Sequence, residues 1–205
     1  MEQRTEEWYS ARAGKVTASR VADVIARTKS GYGASRAAYM AELVIERITG
    51  KPTEKFSSAA MQWGTEKEPE ALSLYQVETG ALVELIGFVP HPDIEGSGAS
   101  PDGLIGGDGL IEIKSPNSST HLDTLLLQKI PDRYQVQMLW QMACTGRMWC
   151  DFVSFDPRMP DHLKLFVRRF NRDDVRIKEL ETEVKVFIAE INQKVDDLNK
   201  LYRKD

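Results

Sequence analysis

Two short stretches of this 205-residue chain carry residue types that can do chemistry together. Ser100-Pro101-Asp102-Gly103 sets a carboxylate at a turn, and Gly109-Leu110-Ile111-Glu112-Ile113-Lys114 sets a carboxylate and a lysine two positions apart. The second stretch reads as a strand, so Glu112 and Lys114 share one face while Ile111 and Ile113 point to the other, into core. Gly106-Gly107-Asp108-Gly109 is a hairpin turn signal. Folded there, the chain brings Asp102 back towards Glu112, and two carboxylates and an ammonium converge. Mg²⁺ takes hard oxygen ligands, usually one or two carboxylates with waters and substrate phosphate. It lowers the pKa of a bound water and neutralises charge on the phosphate. A neighbouring lysine orients or helps deprotonate that water, or stabilises the developing charge. Glu-x-Lys alone is ordinary on a strand surface; Pro-Asp-Gly at hairpin spacing lifts the pattern above that.

The elements that must position these groups follow from period and caps. Residues 5–13 read as a short helix with Thr5 as N-cap and Glu6 and Glu7 in its first turn. Residues 17–27 read as a second, opened by Thr17, with Val21, Val24 and Ile25 as its apolar stripe. Ser35 is a candidate cap for a third that ends at Gly50 before Pro52. A fourth covers about 58–79 and ends at Gly80, with Pro69 inside it, so a kink or break is expected near Glu68. The period then changes. Ala81 to Val89, residues 97–105 and residues 109–114 read as strands. Residues 115–130 read as a loop with one short helix. Residues 131–146 return to helix, with Pro131 at its first turn and Gly146 after its end. Phe152 to Phe155 and Leu163 to Phe170 are further strands. A long helix, about 172–203, carries Ile177, Leu180, Val184, Phe187, Ile191, Val195, Leu198 and Tyr202 at spacings of three and four. That stripe reads as a core-packing face, with an oligomer seam as the alternative. The order implies an α/β domain: a central mixed β-sheet flanked by helices, with a long C-terminal helix. No repeat or linker divides the chain, so residues 1–205 are expected to form a single domain, core about 8–170.

Composition excludes several classes. With 41% hydrophobic and 28% charged residues, the chain is neither disordered nor fibrous, and at this length roughly 70% of the unfolded surface can be buried. No apolar run is long enough for a membrane span. Met1-Glu2-Gln3-Arg4 is polar, without a signal core, and Cys144 and Cys150 form no paired motif; both favour a reduced, cytoplasmic protein. Gly31-Tyr32-Gly33 lacks a following Lys-Ser/Thr, so ATP hydrolysis is not supported. His91, His121 and His162 are scattered singles that read as surface or satisfied histidines. The net charge of −4 looks wrong for a nucleic-acid binder, but it is uneven: residues 1–55 are net +3, residues 56–115 net −8 and residues 116–205 net +1. An acidic centre between basic flanks fits a carboxylate metal site beside phosphate contacts.

Pro101-Asp102, nine intervening residues and Glu112-Ile113-Lys114 resemble the PD-(D/E)xK nuclease signature. Further motifs narrow the resemblance to the YqaJ and lambda exonuclease family. Trp8 and Arg12-Ala13-Gly14-Lys15-Val16-Thr17-Ala18-Ser19 are similar to its N-terminal motif, and Trp63-Gly64-Thr65-Glu66-Lys67-Glu68 to its acidic helix. Tyr134-Gln135-Val136-Gln137 matches its Tyr-x-x-Gln helix, and Phe155-Asp156-Pro157-Arg158-Met159 resembles one of its strand ends. The motifs keep the family's order across residues 8–159; each is weak alone.

The resemblance implies a restriction-endonuclease-like core and an enzyme that digests one strand of duplex DNA from a 5′ end, processively, with Mg²⁺; whether Mn²⁺ can replace it is left open by the sequence. It implies that Asp102 and Glu112 are metal ligands, with the Ile113 carbonyl a third and Glu68 completing the site. Lys114 is then the residue that positions the attacking water, Gln137 helps to hold it, and Tyr134, one turn earlier, reaches the same site. Arg12, Ser19 and Ser100 match a pocket for the 5′-terminal phosphate, which guanidinium suits through paired hydrogen bonds. The family's apolar wedge would fall near Ala37, which is too small, with Met40 the nearest substitute although it reads first as core. The family forms a ring of three subunits, implying a homotrimer with basic residues lining its channel; Arg27, Lys29, Arg36 and Lys51 are the candidates. It also implies a single-strand annealing protein as partner, in bacteriophage recombination within the host cytoplasm, and no membrane. The alternatives are a restriction-type or structure-specific endonuclease on the same core, and a non-catalytic DNA-end binder. The joint presence of Asp102, Glu112 and Lys114 argues against the last.

Overall fold

A computed structural model describes residues 1–53 and 58–202. Helix α1 (Glu6–Arg12) is capped by Thr5, whose Oγ1 accepts from Trp8 N. Residues 17–27 are not one helix. Val16 and Thr17 form strand β1 (Val16–Thr17), a 3-10 turn covers Ala18–Arg20, and α2 (Val21–Val24) is a single turn before β2 (Arg27–Thr28). The β-branched pair is drawn out by parallel pairing with a distant strand, which a local apolar stripe does not reveal. After β3 (Gly31–Tyr32), α3 (Ala34–Thr49) has Gly33, not Ser35, at its N-cap, and ends on left-handed Gly50. Helix α4 (Ala59–Thr79) opens on Ser58, ends on left-handed Gly80 and runs unbroken across Pro69.

The stretch expected as one strand over 81–89 divides into β4 (Val83–Glu84) and β5 (Val89–Pro90), and the next into β6 (Ser97–Ala99) and β7 (Gly103–Ile105). Then come β8 (Gly109–Lys114), α5 (Ser118–Leu127), α6 (Asp132–Thr145), β9 (Trp149–Phe155), β10 (Leu165–Asn171) and α7 (Asp174–Tyr202). The main sheet has the order β10-β9-β8-β7-β4, with β8 and β9 parallel and its other neighbours antiparallel. A smaller sheet, β1-β6-β5, and the β2-β3 hairpin complete the mixed α/β fold.

The sheet has a different core on each face. Ile111 and Ile113 join Ala71 and Tyr75 of α4, with Val153 and Phe155 of β9, in a small cluster. Leu110 joins the larger one with α6 and α7, where Trp140, Met138 and Leu139 are fully buried. The α7 stripe is core: Ile177, Leu180, Val184, Phe187 and Ile191 are buried and Val195 packs against them, while Leu198 and Tyr202 are exposed. Met40 is also core. Helix α4 is fastened to the sheet at two buried carboxylates. Tyr75 donates to Asp151 of β9 (2.8 Å), which Arg169 of β10 grips with two nitrogens (2.8 and 3.0 Å). Asp156, just past β9, holds Arg158, whose guanidinium lies 4.7 Å from the centre of the Trp63 ring on α4. Among the described residues no helix is long and apolar enough to cross a membrane. Cys144 and Cys150 are free and buried.

Candidate active site

The β7–β8 hairpin delivers the acidic pair. Its register sets Gly103 opposite Ile111 and Ile105 opposite Gly109, with Gly106 left-handed in the turn. A Cβ on Gly103 would sit 2.2 Å from Val83 Cγ1, so the close approach of β4 requires glycine there. Asp102 falls in the break before β7, and its Oδ2 accepts from the Ile113 backbone N–H at 2.6 Å. That bond continues the hairpin by a side chain and holds the carboxylate beside Glu112.

Glu112 is wholly buried. A buried carboxylate needs donors, and this one has three: Gln137 Nε2 to Oε1 (2.6 Å), Gln141 Nε2 to Oε2 (2.6 Å), and Lys114 Nζ to Oε1. Gln137 and Gln141 lie one turn apart on the face of α6 that covers the sheet. Gln141 was not anticipated from the motifs; the signal for it was a second glutamine four residues on, among the apolar Leu139, Trp140 and Met142. Lys114 is half-buried, with its ammonium 5.2 Å from the centre of the Tyr134 ring. That ring stacks on Phe152 at 5.5 Å. Burial pulls the Lys114 pKa down, but the charges of Glu112 and Asp102 outweigh it and hold the ammonium above its ordinary value. Burial, then the charge of Glu112, pushes the Asp102 carboxyl well above the usual range, with Glu68 adding to the rise. Glu68, on α4, is ion-paired with Arg4.

Ser100 links this centre to a cavity of about 630 Å³ lined by Arg4, Trp8, Arg12, Lys15, Ser19 and Arg20 among others. Ser100 Oγ accepts from both Arg12 Nη1 and Trp8 Nε1 at 3.0 Å, and the Arg12 guanidinium stacks 4.0 Å over the Trp8 ring. Burial lowers the Arg12 pKa. Ser19 is exposed to the same cavity. Lys29 is exposed in the turn of the β2-β3 hairpin and does not line it. Two expected channel residues are already committed: Arg36 is buried and bidentate to Glu190 (2.8 and 2.9 Å), and Arg27 pairs with Glu183 (2.6 Å). Burying a guanidinium requires a carboxylate partner, and α7 supplies it.

Among the described residues no three His, Cys, Asp or Glu side chains converge closely enough to hold a metal together. The acidic pair nonetheless suits Mg²⁺, which needs no more than one or two carboxylates. Burial and then repulsion from Glu112 raise Asp102, and a divalent cation relieves that repulsion. The three histidines lie apart from one another: the His91 ring is tilted against Trp140 at 5.0 Å, His121 is held between Ser154 Oγ and the Leu163 carbonyl (both 2.8 Å), and His162 is exposed.

Residues 7–148 match the model of the YqaJ-like viral recombinase domain. No curated protein matches the chain. Among solved structures, an alkaline exonuclease from Laribacter hongkongensis is 54% identical, with a TM-score of 0.90 over 96% of this chain and 97% of that one. The same exonuclease in complex with dAMP matches equally well. A phage related exonuclease from Haemophilus somnus 129PT shares the fold, with a TM-score of 0.70 and 16% identity over 92% of this chain and 96% of that one.

Proposed function

The chain belongs to the YqaJ-like viral recombinase domain family, and on that footing we propose that it is a Mg²⁺-dependent 5′-to-3′ exonuclease that digests one strand of duplex DNA from a 5′-phosphorylated end. The observation that carries the proposal is the junction at residues 100–102: Ser100 accepts from Arg12 and Trp8, which line the cavity, and Asp102 lies beside Glu112 and Lys114. A phosphate gripped in the cavity leaves the first phosphodiester next to the carboxylates.

Asp102 and Glu112, with the Ile113 carbonyl, would hold Mg²⁺ or Mn²⁺, and Glu68, paired with Arg4 in this structure, would complete the site only on leaving that pair. When bound, the ion supplies an activated water and offsets phosphate charge. Gln137 and Gln141 fix both oxygens of Glu112, so its orientation is set before substrate arrives. Lys114, ion-paired with Glu112, is placed to orient the attacking water and to donate to the developing charge. Tyr134 walls the lysine in. Arg12, Ser19 and Ser100 bind the terminal phosphate. Hydrolysis leaves a 5′ phosphate on the shortened strand, so every cut regenerates the group that the cavity binds, which favours processive movement. The 54%-identical alkaline exonuclease, solved with dAMP, supports a nucleoside monophosphate as the product. A homotrimeric ring around the duplex, contacted by exposed Lys29 and Lys51, a single-strand annealing protein as partner, and action in the cytoplasm during phage recombination complete the proposal.

The test is linear duplex DNA labelled on one strand, with 5′-phosphate or 5′-hydroxyl ends, beside closed circles and an E112A control. Mononucleotides released faster from phosphorylated ends, no cutting of circles and no product from E112A are expected. Cutting of circles would replace the proposal with an endonuclease; end binding without cleavage would replace it with a non-catalytic binder.

A further inference from the structure

Residues 1–5 cross between the cavity and the acidic centre, and several contacts pin them there. The Met1 carbonyl lies against Gly87, where a Cβ would sit 2.3 Å from its oxygen. Gln3 Nε2 donates to the Ile86 carbonyl (2.8 Å) and to that of Pro101 (2.7 Å), the residue before Asp102. Thr5 caps α1 and also donates to the Glu2 carbonyl. Between these clamps Arg4 is left-handed, with φ 68°, a conformation costly for a residue with a side chain. Its guanidinium lines the cavity that holds Arg12 and also pairs with Glu68.

Stability does not account for this arrangement. The Arg4 side chain is 39% exposed, and a surface ion pair contributes less than left-handed strain costs. The other cations of the cavity have partners outside the acidic centre. Arg20 pairs with Asp23 and Glu42, Lys15 donates to the Ala11 carbonyl, and Arg12 donates to Ser100. Arg4 is the cation of this cavity whose carboxylate partner belongs to the acidic centre.

Resting on the reading of the cavity as a terminal-phosphate site, we infer that the Arg4 guanidinium is a second ligand of the 5′ phosphate, held by Glu68 until a DNA end arrives. Two guanidiniums clamp a phosphate dianion from two sides, and each charge-assisted contact adds affinity and fixes orientation. Glu68 competes with the phosphate for Arg4. Removing the Glu68 charge therefore strengthens end binding, while removing Arg4 weakens it.

The experiment is equilibrium binding of a fluorescent duplex, with a 5′-phosphate or a 5′-hydroxyl, in EDTA so that no cleavage intervenes. R4G removes the side chain and relieves the left-handed strain; R4K keeps the charge without the fork. R4G should lose roughly tenfold in affinity for the phosphorylated end and little for the hydroxyl end, with R4K between. E68Q should bind phosphorylated ends several-fold more tightly, and this gain should vanish in R4G/E68Q. Thermal melting of each variant checks folding. Unchanged phosphate preference in R4G and R4K, or a gain from E68Q that survives in the double variant, overturns the inference while leaving the cavity reading intact. A parent protein that ignores the phosphate overturns both.

Discussion

Replacing Asp156 with asparagine removes a carboxylate that is wholly buried at the end of β9. Burial pushes its pKa up, but the Arg158 side chain, Ser118 and the Arg158 backbone N–H outweigh that and bring it down to about 2, from an ordinary 3.8. The Arg158 bonds are short: Nε to Oδ1 at 2.7 Å, Nη2 to Oδ2 at 3.1 Å and the backbone N to Oδ1 at 3.0 Å. The difference in pKa corresponds to about 2 kcal/mol of folding stability, an upper figure because the Arg158 side chain is 47% exposed and screened. For a chain of this length that is a drop of roughly 4–8 °C in melting temperature. A folded-state pKa below the unfolded one stabilises fully above the unfolded value and is lost as pH falls through the folded one. The gap between parent and D156N should therefore hold at neutral pH, narrow below about pH 4 and close near pH 2. Melting followed by circular dichroism across that range is the assay. A gap that does not change with pH would refute the electrostatic account of this lock and leave only the shape of the side chain.

Three further outcomes are expected. K114M should keep end binding and lose about 100-fold in single-turnover cleavage; a loss below tenfold would remove Lys114 from the reaction. Q141L strips Oε2 of Glu112 of its donor, and Mg²⁺ affinity measured by calorimetry should fall about tenfold, whereas unchanged affinity would show that Gln137 alone orients the carboxylate. The raised Asp102 pKa acts in the opposite sense to Asp156: protonated, it is compatible with the metal-free fold, and its ionisation destabilises that fold as pH rises through the raised value. The rise in melting temperature on adding Mg²⁺ should thus be larger at alkaline than at acidic pH, and equal rises at both would contradict that linkage.

Where local pattern decides structure, the sequence was a good guide. Strand alternation placed Glu112 and Lys114 on one face and the two isoleucines on the other, and Gly50, Gly80 and Gly146 all sit left-handed after helices as their positions implied. The failures came where distant partners intervene. Val16 and Thr17 form a strand because Ser97 and Gly98 pair with them. Pro69 does not end α4, which is held on both sides of it by the Arg158–Trp63 and Tyr75–Asp151 contacts. Arg36 looked like a free DNA contact because Glu190 is more than 150 residues away in the chain. At the centre of the site, Asp102, Glu112, Lys114 and Gln137 were legible from motifs; Gln141 and the Arg4 strap were not, since neither belongs to a pattern of its own.

The strand that carries Glu112 and Lys114 has neighbours on both edges, β7 antiparallel and β9 parallel, and lies between the two apolar clusters. Its amides can therefore exchange with solvent only when the sheet as a whole opens. The reactive groups lie on a strand flanked on both edges, while residues 1–5 and the β2-β3 hairpin lie outside that sheet. Heat or denaturant should accordingly loosen the grip on a DNA end well before it disturbs the geometry of the carboxylates, so that end selection fails first and hydrolytic competence last.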